Sequence, residues 1–185
     1  MNKAALTDWL GGLAAVDDRP VITVWGGVHR LERRFYVTQD PPPDELVSSV
    51  RAVVFRKGDV VVIRDPDGSH HVMPGGRREA GESQAQALVR EVAEETGWRF
   101  QDPRHFGLLH FRHLTPRPSN YPYPYPDFFQ TLSVVEASDH DRRRIARDGW
   151  ETHSRMTPIA RALAAVRDEQ TTILRLAVAA RLDCR

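Results

Sequence analysis

Residues 76–98 read GRREAGESQAQALVREVAEETGW, a segment with glycines near both ends and acids throughout. Ser83 is followed three residues later by Gln86, which is the spacing of a capping box. Gly97 is a typical left-handed residue for ending a helix. The spacing therefore predicts one helix over residues 84–96.

The predicted helix has an apolar side and an acidic side. At about 100° per residue, one stripe gathers Ala85, Leu88, Val89, Val92 and Thr96, and the adjoining arc carries Arg90, Glu91, Glu94 and Glu95. Glu91 and Glu95 lie one turn apart, so their charges repel unless a positive group lies between them. A hard divalent cation is the natural partner for such carboxylates.

An acidic cluster on a helix is most often a solvated surface. Whether this one has a function is therefore judged from the spacing of all the residues between Gly76 and Trp98. The segment fits the pattern GX5EX7REUXEEXGU, in which U is a bulky apolar residue, and so resembles the signature of the Nudix hydrolases. Its nine specified positions are Gly76, Glu82, Arg90, Glu91, Val92, Glu94, Glu95, Gly97 and Trp98. Trp98 departs mildly from the aliphatic residue usual in the family. Seven of the nine positions are fixed identities, so a chance match is on the order of 10⁻⁸ or rarer per window.

The resemblance implies hydrolysis of a nucleoside diphosphate linked to another group, with Mg²⁺ or Mn²⁺ as cofactor. The main metal ligands it implies are the carboxylates of Glu91 and Glu95 with the carbonyl of Gly75, and Glu94 is either a further ligand or the partner of Arg90. Arg90 can pair with Glu94 one turn away, and Glu82 would complete the supporting network. The general base stays open between Glu91 in the motif and three acids elsewhere, Glu136, Glu151 and Asp127.

The residues that choose the substrate are expected outside this motif. Residues 115–129 read TPRPSNYPYPYPDFF, a stiff loop whose Tyr123 and Tyr125 could form a wall for the base or could simply pack on the sheet. Arg64 and Arg77 could contact phosphates, although a solvent-exposed role is equally compatible with their positions. No histidine pair has a convincing spacing for a second metal.

Composition places limits on the kind of protein. The chain has 185 residues, of which 41% are apolar, and this is enough for one core. Its 26 basic and 25 acidic residues are spread along the chain, which argues against an extended nucleic-acid surface. The single cysteine, Cys184, excludes an intrachain disulfide. Without an apolar stretch of membrane-spanning length or a signal peptide, a cytoplasmic protein is expected.

The order of elements indicates an α+β fold, a mixed β-sheet sandwiched between helices as in Nudix proteins. The predicted helices are 4–15, 84–96 and a tail that begins at Thr157 and Pro158 and reaches about residue 181. The predicted strands are 21–25, 34–38, 47–55, 60–64, 70–73, 106–114 and 128–136. We expect a β-containing extension over residues 1–45, joined in one unit to a catalytic domain over 46–185. The extension could shape a pocket or form a homodimer contact.

Two functional classes remain possible at this stage. The first is the nucleotide pyrophosphohydrolase that the resemblance implies. The second is a module of the same fold that senses a nucleotide or a sugar nucleotide without turnover. Such a module would need few of the acids of the motif, and all of them are present, so the sequence favours the enzyme.

Overall fold

The computed structural model describes residues 2–146 and 153–182. Its helices are α1 (Lys3–Gly11), α2 (Gln84–Thr96), α3 (Ile159–Ala165) and α4 (Asp168–Leu182). Its strands are β1 (Ala14–Ala15), β2 (Val21–Trp25), β3 (His29–Val37), β4 (Val47–Arg56), β5 (Asp59–Arg64), β6 (His70–His71), β7 (Gly75–Arg77), β8 (Trp98–His113), β9 (Asp127–His140) and β10 (His153–Pro158). The α+β class with a mixed sheet and helices is therefore confirmed.

The chain divides into two compact units. The first comprises Met1–Ser49 with His105–Leu132, and the second comprises Val50–Arg104 with Ser133–Arg185. The division into an extension over residues 1–45 and a domain over 46–185 stays a prediction, as does the homodimer.

Antiparallel strands build the first unit. β2 and β3 form a hairpin in which Trp25 lies opposite His29, and its turn uses positive φ angles at Gly26 and Gly27. β3 also pairs with β8, from Leu31 opposite His113 to Val37 opposite Gly107. Leu31 and Phe35 from β3 are almost fully buried and anchor the core of this unit.

Two apolar strands form the centre of the second unit. β4 and β5 make a tight hairpin at Lys57 and Gly58, and β10 pairs antiparallel with β5 along its whole length. Consecutive residues of both strands are buried, which is typical of strands covered on both faces. α4 contributes Ile173, Leu174 and Ala177 to the same core.

The structure corrects the predicted N-terminal helix and the start of one strand. α1 ends at Gly11, because the two glycines at 11 and 12 favour leaving the helix. β8 begins at Trp98, directly after α2, rather than at residue 106. Asp102 has a positive φ of 51° within this early part of β8, and the polar sequence there hides the strand from periodicity alone.

The predicted C-terminal helix is also wrong in its start and its continuity. Residues 153–158 form β10, so the helix begins only at Ile159 and has no side-chain cap at Pro158. Val166 is extended, with φ −82° and ψ 161°, and it separates α3 from α4. Arg167 Nη1 donates to the carbonyl oxygens of Ala164 and Val166, which satisfies carbonyls at the break.

Within the described residues, none of the helices has the length and apolarity needed to cross a membrane.

Candidate metal centre

Helix α2 carries the candidate site and has the predicted boundaries. Ser83 Oγ accepts a hydrogen bond from the Gln86 N–H at 3.2 Å, and the Ser83 N–H donates to Gln86 Oε1 at 2.9 Å. Gly97 ends the helix with a φ of 73°, and its N–H donates to the Ala93 carbonyl at 2.8 Å. Local sequence therefore sets both ends of α2.

The buried side of α2 differs from the predicted apolar stripe. Ala87, Leu88, Val92 and Thr96 are buried, whereas Ala85 and Val89 are exposed, Val89 at 51%. The inward arc is rotated toward Glu91 and Glu95, which are partly buried. The predicted stripe was wrong because the helix packs its acidic side against the glycine-containing segment of β7.

The glycine pair of β7 gives the carboxylates of α2 room to approach. A Cβ at Gly76 would overlap both carboxylate oxygens of Glu91. Gly75 has a φ of 138°, and a Cβ there would overlap the carbonyl oxygen of Val50. Gly75 is therefore required for space and for backbone conformation, whereas a Cβ at Gly76 would displace the Glu91 carboxylate from its present position.

Glu95 lies against the same segment. Its Oε2 accepts a hydrogen bond from the Gly75 N–H at 3.0 Å. Burial raises the pKa of Glu95 to about 7, and the nearby Glu91 adds to this rise. Arg51 and the Gly75 N–H oppose the rise, but they do not cancel it. Glu95 is thus a carboxylate whose charged form is disfavoured mainly by burial, and a bound cation would stabilise that charged form.

Arg90 connects the acids of the motif. Its Nε and Nη2 donate to the two oxygens of Glu82 at 2.9 and 2.8 Å, and its Nη1 donates to Glu91 Oε1 at 2.8 Å and to Glu94 Oε2 at 3.2 Å. Hydrogen bonding to Arg90 lowers the pKa of Glu82. Arg90 Nη2 also donates to the Arg77 carbonyl at 3.1 Å, so one guanidinium holds the helix and the loop before it.

Arg51 belongs to this cluster and was missed by sequence reasoning. It lies on β4, and its Nη1 donates to the Met73 carbonyl at 3.3 Å, just before the glycine pair. Burial lowers the pKa of Arg51, while Glu95, Glu91 and Asp65 act in the opposite direction. A lone arginine inside the apolar run VSSVRAVVF was the available signal.

The other candidate residues lie in different surroundings. Arg64 and Arg77 are exposed at the ends of β5 and β7. Tyr123 and Tyr125 belong to the first unit, where the Tyr125 hydroxyl donates to the Thr115 carbonyl at 2.9 Å and Tyr123 packs edge-on against Tyr121. Both tyrosines are half-exposed, and their part in substrate binding stays a prediction.

The acids considered as general bases outside the motif have other partners. Glu136 forms an ion pair with Arg181, with an Nη2 to Oε2 distance of 3.0 Å. Asp127 is buried and lies 2.9 Å from His110 Nε2. Glu151 lies outside the described residues. Among the acids described in the second unit, Glu91 and Glu95 are the ones that lie against the glycine pair.

The oxygen atoms available at this site are of the type that binds a hard divalent ion. Glu91 and Glu95 offer carboxylate oxygens beside a glycine pair that admits close backbone approach, which is the ligand type that Mg²⁺ prefers. In the side chains described here, no three of His, Cys, Asp and Glu meet as a closed metal cluster. The Glu91 carboxylate accepts a hydrogen bond from Arg90, and the Glu95 carboxylate accepts one from the Gly75 N–H. These separate partners account for the absence of a closed cluster among the described side chains.

Comparison with known proteins identifies the motif's family. A family model described as the NUDIX domain matches residues 45–176. A curated protein of Bacillus subtilis, YjhB, named provisionally as an ADP-ribose pyrophosphatase, is 29% identical over 89 residues. That match covers 48% of this chain and 42% of the relative, so the chain spans less than half of that protein's length.

Solved structures share the fold at low sequence identity. A pyrophosphohydrolase of Bacillus subtilis superposes with a TM-score of 0.54 at 14% identity, covering 88% of this chain and 96% of that one. A NUDIX hydrolase from Nitrosomonas europaea gives a TM-score of 0.53 at 22% identity, covering 73% of this chain and 90% of that one. These similarities support the fold of the chain.

Proposed function

The chain belongs to the Nudix family, and we propose that it hydrolyses a phosphate anhydride in a nucleoside diphosphate linked to another group. The observation that carries the proposal is the meeting of Glu91 and Glu95 at the glycine pair, with Arg90 bridging Glu82, Glu91 and Glu94. Substrate and metal dependence are part of the proposal.

Glu91, Glu95 and Glu94, with the carbonyl of Gly75, would hold Mg²⁺ or Mn²⁺. When bound, such an ion neutralises the phosphate oxygens and activates water for attack on phosphorus. Burying the charged Glu95 carboxylate costs free energy in the absence of a cation, and burial, with a smaller contribution from Glu91, raises its pKa to about 7. That cost favours cation binding at these residues.

Arg90 would act as a positioning residue rather than on the substrate. All of its nitrogen donors are directed to Glu82, Glu91, Glu94 and the Arg77 carbonyl. A guanidinium fixed by several acceptors has little freedom, so it holds the Glu91 carboxylate in one orientation. Arg51 would also act as a positioning residue, by placing a positive charge near Glu95 and donating to the Met73 carbonyl.

In the proposed reaction a water oxygen bonds to phosphorus, the anhydride oxygen leaves, and a carboxylate accepts the water's proton. Glu91 is the candidate base within the motif, because it lies against the glycine pair together with Glu95. Its ion pair with Arg90, with Nη1 2.8 Å from Oε1, would hold the carboxylate in one position.

A substrate panel with Mg²⁺ tests the proposal. It includes ADP-ribose, sugar nucleotides, dinucleoside polyphosphates and nucleoside triphosphates, and the products are separated by chromatography. We expect at least one substrate to yield a nucleoside monophosphate, and Glu95→Gln to lose most of this turnover. Glu32→Gln, outside the motif, is the matched control. Full turnover in a folded Glu95→Gln protein contradicts the assignment, and thermal stabilisation by a substrate without product supports the sensing module.

A further inference from the structure

A second group of positive charges lines a cavity of about 830 Å³. Four arginines contribute to it, Arg64 from β5, Arg142 from the turn after β9, Arg155 from β10 and Arg161 from α3, together with three histidines. Among the described residues that line it, none is acidic. We call this the arginine cavity. Its volume is in the range of pockets for small ligands of nucleotide size.

Strand pairing gathers part of this charge on one face of the sheet. In the antiparallel register of β5 and β10, Arg64 lies opposite His153 and Val62 lies opposite Arg155. Directly opposed residues and their neighbours two positions away point to the same face, so Arg64 and Arg155 are diagonal neighbours. Like charges on neighbouring positions of one face repel each other, and an anion bound between them would offset that repulsion.

The arginines of the cavity are free of carboxylate partners within the described residues. All four are exposed, and none of them lies within 4.0 Å of a described carboxylate oxygen. The adjacent Arg144, in contrast, pairs with Asp139 at 3.1 Å. The guanidinium groups of the cavity are therefore available to an external anion, and arginine forms bidentate hydrogen bonds with phosphate.

The aromatic part of the lining indicates how a ligand is held. Trp98 is 8% exposed, with the Arg56 guanidinium 4.8 Å from its ring centroid and the His140 ring 4.6 Å away. Because the indole already packs against these groups, it offers little face for stacking a base. Charge and hydrogen bonding, rather than stacking, dominate the chemistry of the cavity.

We propose that the arginine cavity binds a small anion with several phosphate groups, either inorganic polyphosphate or the polyphosphate tail of a nucleotide. Three features meet in this open cavity: a volume of about 830 Å³, four arginines without described carboxylate partners and a lining without described acids. The proposed hydrolysis is not needed for this binding, which requires neither metal nor turnover.

Calorimetric titration of the full chain with inorganic tripolyphosphate, ATP and GTP in EDTA tests the proposal. Removing divalent ions leaves the motif's carboxylates to repel phosphate, so binding reports on the cavity. We expect tripolyphosphate to bind, and Arg142→Ser/Arg155→Ser to weaken binding by about tenfold or more. Arg19→Ser/Arg175→Ser removes the same charge from exposed sites outside the cavity and should leave affinity within about twofold.

Equal affinities of the two double variants, or no binding by the parent, would overturn the proposal. Tighter binding of the nucleotides than of tripolyphosphate would assign the nucleotide as the ligand, and equal binding would assign the phosphate chain alone. A second test needs no variant protein. Phenylglyoxal modifies accessible arginines of the parent chain, and mass spectrometry identifies which ones are labelled. Tripolyphosphate should protect Arg142 and Arg155 but not Arg175, and uniform labelling of all three contradicts a site in the cavity.

Discussion

Arg90 and Glu82 form a two-point ion pair, with Nε to Oε1 at 2.9 Å and Nη2 to Oε2 at 2.8 Å. The planar guanidinium matches the planar carboxylate, so both bonds form at once and fix the orientation of both groups. The remaining nitrogen, Nη1, is thereby directed to Glu91 and Glu94. Two residues eight positions apart thus determine how the acids of α2 are presented.

Arg90→Lys should lower turnover by about tenfold or more while the protein stays folded, because lysine keeps the charge but cannot form the two-point pair. The lost hydrogen bonds should cost about 1–2 kcal/mol of unfolding free energy, measured in urea. Arg175→Lys on the exposed side of α4 serves as the control. Parent-like turnover of Arg90→Lys would show that the pair does not position the acids.

Gly76→Ala should abolish most turnover, because the added methyl group would overlap the Glu91 carboxylate. Gly58→Ala is the matched control, since a Cβ at Gly58 meets nothing within 4 Å. The two variants should differ much more in activity than in melting temperature. If both lose activity equally, the close approach of Glu91 to Gly76 has no functional role.

The limits of α2 could be predicted from sequence, but its orientation could not. Ser83, Gln86 and Gly97 act within a few residues of themselves, so their pattern carries the information. Which side of the helix faces inward depends on β7, and Val89 is exposed for that reason. Apolar periodicity identifies an amphipathic helix on the assumption that its apolar side faces the core. A helix that turns acidic side chains inward to build a site does not follow that assumption.

Arg51 and the arginine cavity show the other limit of sequence reasoning. Arg51 contacts Met73, 22 positions away, and is influenced by Glu95, which is still farther along the chain. The cavity collects its arginines from β5, β10, α3 and the turn after β9. No local pattern reports such neighbours, because the tertiary fold brings them together.

Affinity for Mn²⁺ should rise with pH up to about pH 7 and then level off. Glu95 has a pKa raised to about 7 in the metal-free protein, so below that pH a proton competes with the metal for its carboxylate. Calorimetric titration between pH 5.5 and 8.5 measures the effect. Glu95→Gln should bind more weakly with a flatter pH dependence, and an unchanged slope in this variant would exclude Glu95 as a ligand.

His105 should make the fold less stable at acidic pH. Burial lowers the pKa of His105 to about 4 from its ordinary 6.5, with Asp40 opposing the shift. Nε2 of His105 is buried without a hydrogen-bond partner among the described residues. As the pH falls below 6.5 the unfolded chain binds the proton first, so stability is complete above pH 6.5 and declines toward pH 4.

The difference between the parent and His105→Gln isolates this effect from other titrating groups. Urea unfolding at pH 7.5 and pH 5 should show the parent losing about 1–2 kcal/mol more than the variant on acidification. Between pH 7.5 and 8.5 the difference should stay constant, because His105 is neutral in both the folded and the unfolded chain. If parent and variant lose stability in parallel down to pH 5, the buried His105 ring does not resist protonation in the folded protein.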